Sequence, residues 1–289
     1  MSGKPVLSLR GASLAYGDRV LWHDLDLDVH PGEFLAVLGP NGSGKTSLLR
    51  ALLGLRPLTT GTVRLDGGEP HRAGTAGTPR PSPNRHPRGG ASRHSASLGY
   101  VPQQRAIDAH APLRARDFVR LGIDGHRWGP PLAGGRSVRA KVDAALADVA
   151  ATAYANVPVG LLSGGEQQRV RVAQALVTDP RVLLCDEPLL SLDPHHQRAV
   201  SALIDGVRRS RGTAVVFVTH EINPVLDLVD RVLYLAAGRF RVGTVPEVMT
   251  SAVLSDLYGS PVEVVRAGGR LIVAGAPESV PAHHPEVTA

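Results

Sequence analysis

The sequence predicts an α/β fold on a largely parallel sheet, and three observations carry that expectation. From residue 161 onward a helical run "EQQRVRVAQALV", a strand-like "RVLLCD", a helical "PHHQRAVSALIDGVRR" and a strand-like "TAVVFVTH" follow one another. Such alternation is what a parallel sheet with crossover helices requires. The strand candidates "FLAVL" and "VLLC" are short, unbroken apolar runs, the pattern of strands covered on both faces. Between residues 105 and 160, "APLRARDFVRLGI" and "VRAKVDAALADVAATAY" repeat with helical period around the Gly/Pro stretch "GPPLAGG", which predicts a small helical subdomain inserted in the α/β body.

Taken in order, residues 1–104 form the first part of the core, with "FLAVL" as a strand leading into the helix "GKTSLLRALL". Within it, residues 68–97 hold five prolines, five glycines, three histidines and five arginines against one glutamate, with no large aliphatic residue. That composition cannot build a core and predicts a disordered basic insertion. The strand-like segments "GTVRLDG" and "SLGYVPQ" flank it. Residues 105–160 are the helical subdomain, 161–245 the second part of the core, and 246–289 a C-terminal extension. In the extension "EVVRAGGRLIVAG" has the pattern of a hairpin, and "APESVPAHHPEVTA" has little to pack, which predicts a disordered end.

Composition narrows the function classes. With 289 residues, 43% of them hydrophobic, the chain can bury a sizeable core. Its longest apolar runs fall far short of the roughly 18–20 residues that span a bilayer, and the N-terminus has no secretory pattern, so the expected compartment is the cytoplasm. One cysteine, Cys185, excludes an internal disulfide and a multi-cysteine metal site. The net charge of +6 permits contact with nucleic acid or anionic lipid, but charge alone would leave the ordered motifs below without a purpose, and no nucleic-acid partner is expected. Loosely spaced histidines at 71, 86, 94, 283 and 284 have no cysteine or carboxylate cluster to complete a metal site.

The chemistry concentrates in a few motifs. Gly39, Pro40, Asn41, Gly42, Ser43, Gly44, Lys45 and Thr46, followed by Ser47, fit G-x-x-x-x-G-K-[ST] between a strand and a helix. In that setting backbone N–H groups wrap phosphate oxygens, Lys45 reaches the β and γ phosphates, and the Thr46 hydroxyl is placed to ligate Mg²⁺. "LLCDEP" ends a buried strand in Asp186, a second Mg²⁺ handle, and leaves Glu187 free to orient and deprotonate an attacking water. His220 ends the next strand and is placed to hydrogen-bond the γ phosphate. Ser163, Gly164, Gly165 and Glu166 start a helix, which makes a second anion cradle in the same chain.

Together "GPNGSGKT", "LSGGEQQR", "LLCDEP", "SLD" and "VTH", in this order over residues 6 to about 245, resemble the ATP-binding-cassette ATPases. The resemblance implies a P-loop nucleotide-binding domain with a parallel-sheet core, an N-terminal antiparallel β region and an inserted helical subdomain. It implies ATP and Mg²⁺ as cofactors and a head-to-tail dimer in which Ser163 of one subunit faces the ATP held by the other. Residue by residue, Tyr16 in "LAYGDRVL" resembles the adenine-stacking aromatic, Gln103 in "GYVPQ" the glutamine that senses Mg²⁺ and water, and Asp193 in "SLD" the residue that reaches across the dimer. Two departures are minor: Ser191 stands where the family often has a smaller residue, and Cys185 where it often has a larger aliphatic.

The helical subdomain and the glutamine loop would then receive a coupling helix from transmembrane permease subunits, with the ATPase held on the inner face of the cell membrane and an extracytoplasmic solute-binding protein acting indirectly. Residues 220–265 resemble the ATPases of zinc and manganese importers, so metal-ion import is the expected task. Importers of another solute such as an iron chelate, and non-transport cassette ATPases of ribosomes or DNA, are the alternatives. The latter usually carry two cassettes or long coiled-coil arms, and neither pattern is in this sequence.

Overall fold

The computed structural model describes residues 3–65, 71–72, 98–103, 112–125 and 135–275. An antiparallel sheet opens the chain: β1 (Leu7–Tyr16) pairs with β2 (Arg19–Val29) and with β4 (Thr60–Leu65), and β4 with the short β5 (His71–Arg72). Between these, β3 (Phe34–Leu38) enters a second sheet and leads through a glycine loop into α1 (Lys45–Leu52). That sheet continues with β6 (Leu98–Val101), β7 (Val182–Asp186), β8 (Ala214–Val218), β9 (Arg231–Ala236) and β10 (Arg239–Gly243). Its order is β10-β9-β3-β8-β7-β6; every pair is parallel except β9 with β10.

Every residue of β3, β7 and β8 is buried, because the sheet lies between two layers and alternate side chains serve opposite cores. Leu35 and Val37 face the core shared with β1, β2, β4 and α1. Phe34, Ala36 and Leu38 face the core shared with the helices α2 (Ala115–Asp124), α3 (Gly135–Asp148), α4 (Gly164–Leu176) and α5 (Pro194–Arg211). Burying both faces is why these strands read as continuous apolar runs rather than alternating ones. The Phe34 and Phe217 rings, 5.4 Å apart, pack side by side on adjacent strands of the helical face.

Helices α2 and α3 pack on α4, and their buried residues Val119, Val142 and Leu146 run into the same core as the sheet. The helical pattern predicted through Tyr154 stops earlier. α3 ends at Asp148, and Ala150 turns left-handed at φ 52° before a single 3₁₀ turn at Thr152–Tyr154. An alanine in that region is strained, so the apolar spacing of "VAATAY" marks buried loop residues, Val149 and Ala151 among them, rather than helix.

The Arg/His-rich stretch 68–97 lies outside the described residues apart from His71–Arg72. Those two pair with Val63 and Thr62 of β4, so sheet structure extends past residue 68, where the composition placed the start of the insertion. The segments flanking the stretch belong to different sheets: β4 to the antiparallel one, β6 to the edge of the parallel one. The C-terminal extension is built: α6 (Val245–Val248), α7 (Ser251–Tyr258) and the predicted hairpin, β11 (Glu263–Ala267) with β12 (Arg270–Ala274). The chain from residue 276 is outside the described residues. Among the described residues no helix is long and apolar enough to cross a membrane.

Candidate active site

The C-terminal ends of β3, β7 and β8 converge, and the loops leaving them bring Lys45, Thr46, Asp186, Glu187 and His220 to one place, as expected for ligand sites at the carboxyl edge of a parallel sheet. Two adjoining cavities, of about 1030 and 310 Å³, share Asn41, Thr46 and Glu187 as walls. The smaller holds Tyr16, Lys45 and Ser47; the larger holds Gly39, Pro40, Gln103 and His220.

The loop before α1 is shaped for an anion. Gly39, Gly42 and Gly44 have φ of 139°, 76° and 100°, conformations that L side chains rarely adopt. At Gly44 a Cβ would also press on Trp22 Nε1 at 3.0 Å. Gly44 is the N-cap of α1 and offers no side-chain cap, so the first N–H groups of the helix are left for a ligand. Lys45 is buried, 6% exposed, and its ammonium donates to the carbonyls of Gly39 and Pro40 at 2.7 and 2.9 Å. Burial pushes its pKa down, opposed by the nearby charges of Glu187 and Asp186. The Ser43 hydroxyl is buried without a hydrogen-bond partner. A buried cation and an orphaned hydroxyl beside free amides are the donor set a polyphosphate satisfies.

Opposite lies the acidic pair. Asp186, 2% exposed, accepts from the Thr46 hydroxyl at 3.2 Å and from the Tyr100 hydroxyl at 3.4 Å. Burial raises its pKa and the charge of Glu187 adds to that rise, while the hydroxyl of Thr46 opposes it. A buried carboxylate facing a threonine hydroxyl is an oxygen donor set that suits Mg²⁺. Glu187 is held at φ 46° with its N–H on the Val218 carbonyl at 3.0 Å, a strained conformation of the kind concentrated at functional sites. Its carboxylate meets the Gln103 amide at 3.5 Å and His220 Nδ1 at 3.7 Å. Glutamine, acid and histidine from three separate segments thus surround one point at the sheet edge.

Tyr16 stands at the mouth of the smaller cavity, 42% exposed, its hydroxyl 3.3 Å from Ser47 Oγ. Arg56 lies 3.3 Å over the ring centroid, so one face of the ring is already engaged in a cation–π contact.

The signature segment, "LSGGEQQR" with Ser163 at its helix start, lies elsewhere. Ser163 caps α4 in a full capping box: it accepts from Glu166 N, and the Glu166 carboxylate takes the Ser163 N–H and hydroxyl at 2.9 and 2.7 Å. Those bonds hold the Glu166 carboxyl below its ordinary pKa. None of Ser163, Gly164, Gly165 and Glu166 lines either cavity. Instead Gly165 faces His196, whose ring a Cβ at 165 would overlap, and His196 pairs through Nδ1 with Asp193, the N-cap of α5. The signature and the "SLD" loop are therefore one assembled surface. Ser191 in that loop sits at φ 65°, a left-handed position that favours a smaller residue. Cys185 is fully buried in β7, and burial pushes its thiol pKa up.

Among the described residues, Asp193, His195 and His196 bring three potential metal-ligand atoms within 4.8 Å. Asp193 and His195 are exposed and His196 half-buried, Asp193 is committed to capping α5, and a cation there would oppose the positive end of the helix dipole.

Three contacts were not readable from the motifs: Tyr100 on Asp186, the Arg19 guanidinium on the Gly42 carbonyl at 3.1 Å, and Trp22 behind Gly44. Each depends on which strands are neighbours; the only sequence signal was an aromatic or arginine within a strand-like run.

Comparison with known proteins agrees with this geometry. The ABC transporter family model matches residues 22–190, and the chain belongs to the ABC transporter ATPases, whose members bind and hydrolyse ATP to power transport. The zinc import ATP-binding protein of Halorhodospira halophila is 32% identical over 257 residues, covering 89% of this chain and 84% of that protein. The zinc transport system ATP-binding protein of Treponema pallidum is 33% identical over 248 residues, 86% of this chain and 84% of that one. Among solved structures, an inward-facing transporter described as metal-chelate type superposes with a TM-score of 0.72 at 24% identity, over 93% of this chain and 96% of that one, a likeness of fold.

Proposed function

We propose that this chain is the ATP-hydrolysing subunit of an importer for a divalent transition-metal ion, zinc or manganese, working beneath a separate membrane permease. The observation that carries the cargo is the similarity over most of the chain to ATPases named for zinc import and for zinc transport.

In this reading the freed amides of the Gly39–Gly44 loop, the Ser43 hydroxyl and Lys45 hold the phosphates of ATP, with Tyr16 at the adenine end. Thr46 and Asp186 hold Mg²⁺, assisted by Gln103; when bound, the ion neutralises charge on the transferring phosphoryl group. Glu187 accepts the proton of the attacking water, and its fixed backbone and the Gln103 amide aim the carboxylate. His220 donates to a γ-phosphate oxygen from the facing side. Ser163 and Asp193 complete the site of a second copy, head to tail, because their surface lies apart from their own chain's cavities. The permease docks over Gln103 and the helical subdomain, where α2 and α3 enclose a cleft of about 220 Å³ lined by Arg116, Asp117, Arg120, Arg139 and Asp143, and holds the subunit on the inner face of the membrane.

The test is uptake of radiolabelled Zn²⁺ and Mn²⁺ in cells lacking this gene, complemented with wild type or Glu187→Gln. Loss of uptake of one metal, restored only by wild type, is the expected result. Unchanged uptake of both metals removes the metal assignment and leaves the ATPase.

A further inference from the structure

The segment carrying His220 is anchored at both ends. On its N-terminal side Thr219 N–H donates to the Val37 carbonyl of β3 at 3.1 Å. The Thr219 hydroxyl then folds the chain around His220, donating to the Glu221 carbonyl at 2.8 Å and accepting from Glu221 N–H at 3.1 Å. On its C-terminal side the anchor is a side chain. Asn223 Nδ2 donates to the Leu271 carbonyl at 2.9 Å, and Leu271 N–H donates to Asn223 Oδ1 at 2.8 Å.

This pair of hydrogen bonds is unlike an ordinary surface contact. Leu271 belongs to β12, the last strand of the C-terminal hairpin, and its partners lie 48 residues apart in sequence. One side-chain amide matches both peptide groups on the free edge of the strand, using a donor and an acceptor at once. Leu271 is 4% exposed and joins the main core beside Ile222 and Val225. The hairpin is itself mounted firmly: Ser251 and Ser255 of α7 bond to Val264 and Val262, and Tyr258 of α7 shares a hydroxyl hydrogen bond of 3.0 Å with Tyr234 of β9. Leu271 and Val273 form part of the wall of the same 1030 Å³ cavity that holds Glu187 and His220.

We propose that Asn223 is a positioning residue for His220, and that through it the C-terminal hairpin forms a structural part of the hydrolytic site. The proposal rests on the reading of His220 given above. The side chain of His220 is 52% exposed and stands 3.7 Å from Glu187, so where it points is set by the backbone that carries it, held by the Thr219 and Asn223 bonds and by the buried Ile222 between them. A shift of the hairpin is transmitted through Leu271 and Asn223 to His220, which makes the extension a lever on ATP turnover rather than an appendage.

The experiment measures kcat, KM for ATP and melting temperature of the purified full chain as wild type, Asn223→Ala, Asn223→Gln, His220→Ala and the Asn223→Ala/His220→Ala double variant. Asn223→Ala is expected to lower kcat roughly 10- to 100-fold, the scale of a misplaced catalytic group, with KM held within about twofold. Asn223→Gln, which keeps both amide functions, recovers part of the loss. The double variant equals His220→Ala, because Asn223 acts through the histidine. A wild-type kcat for Asn223→Ala beside an impaired His220→Ala, or losses that multiply in the double variant, overturns the proposal and leaves His220 in its role. Full activity of His220→Ala overturns both. Should Asn223→Ala fail to fold, Asn223→Gln combined with His220→Ala carries the same non-additivity test.

Discussion

This chain has two glycine-flanked helix N-termini that resemble each other in sequence and differ in what fills them. At α1 the cap is Gly44 in a left-handed conformation with no side-chain acceptor, and a buried lysine and an unpartnered buried serine hydroxyl stand beside it. At α4 the cap is Ser163, already closed by Glu166 in a capping box. One end leaves its first N–H groups open to an anion; the other is closed on itself, and in the proposed reading it serves the ATP of a second copy. The difference lies in whether the first turn's N–H groups are satisfied from within.

The largest expected effect separates the two ends. Lys45→Ala removes the buried cation of the first end, and ATP affinity and hydrolysis should both collapse, the latter by roughly 100-fold or more. Ser163→Arg leaves nucleotide affinity of the single subunit near wild type and abolishes hydrolysis. Equilibrium ATP binding and turnover on both variants check this; hydrolysis at the wild-type rate by Ser163→Arg would erase the distinction.

A smaller effect sharpens the second end. Gly165→Ala places a methyl group against His196 and should lower kcat about tenfold by shifting the "SLD" loop against α4, with ATP affinity unchanged. Adding His196→Ala vacates the ring and should restore part of the rate. A double variant no better than Gly165→Ala would show that the two segments are not coupled through this contact.

The smallest concerns the cost of keeping the first end ready. Asp186 is a buried carboxylate whose burial disfavours its charge in the absence of a cation. Asp186→Asn should raise the melting temperature of the nucleotide-free chain by about 2–4 °C, the shift that ~1 kcal/mol produces in a domain of this size, while weakening Mg²⁺-dependent ATP binding. An unchanged or lower melting temperature without nucleotide argues that Asp186 is structurally satisfied as it stands.

The same contrast explains what was legible in the sequence. The phosphate loop, "LLCDEP" and the signature are local: their spacing alone specifies a turn, a buried strand and a capped helix, and β3, α1, β7 and α4 formed where the pattern put them. The strands were clear because both faces are buried. What depends on non-local pairing was not readable. Tyr100 reaches Asp186 because β6 lies beside β7, Arg56 covers Tyr16 from the loop after α1, and Asn223 meets Leu271 across 48 residues. The left-handed backbone of Glu187 and Ala150 leaves no trace in side-chain periodicity, which is why the helical pattern before the signature overran the end of α3.

The central claim is that the open end of one subunit is completed by the closed end of another, and mixing two defective chains tests it most directly. Lys45→Ala and Ser163→Arg chains are each expected to be inactive alone. Mixed in equal amounts, they form a pair with one intact composite site, Lys45 from one subunit and Ser163 from its partner, and ATPase activity should reappear. Mixtures as inactive as either chain alone, with both chains folded, would contradict the account.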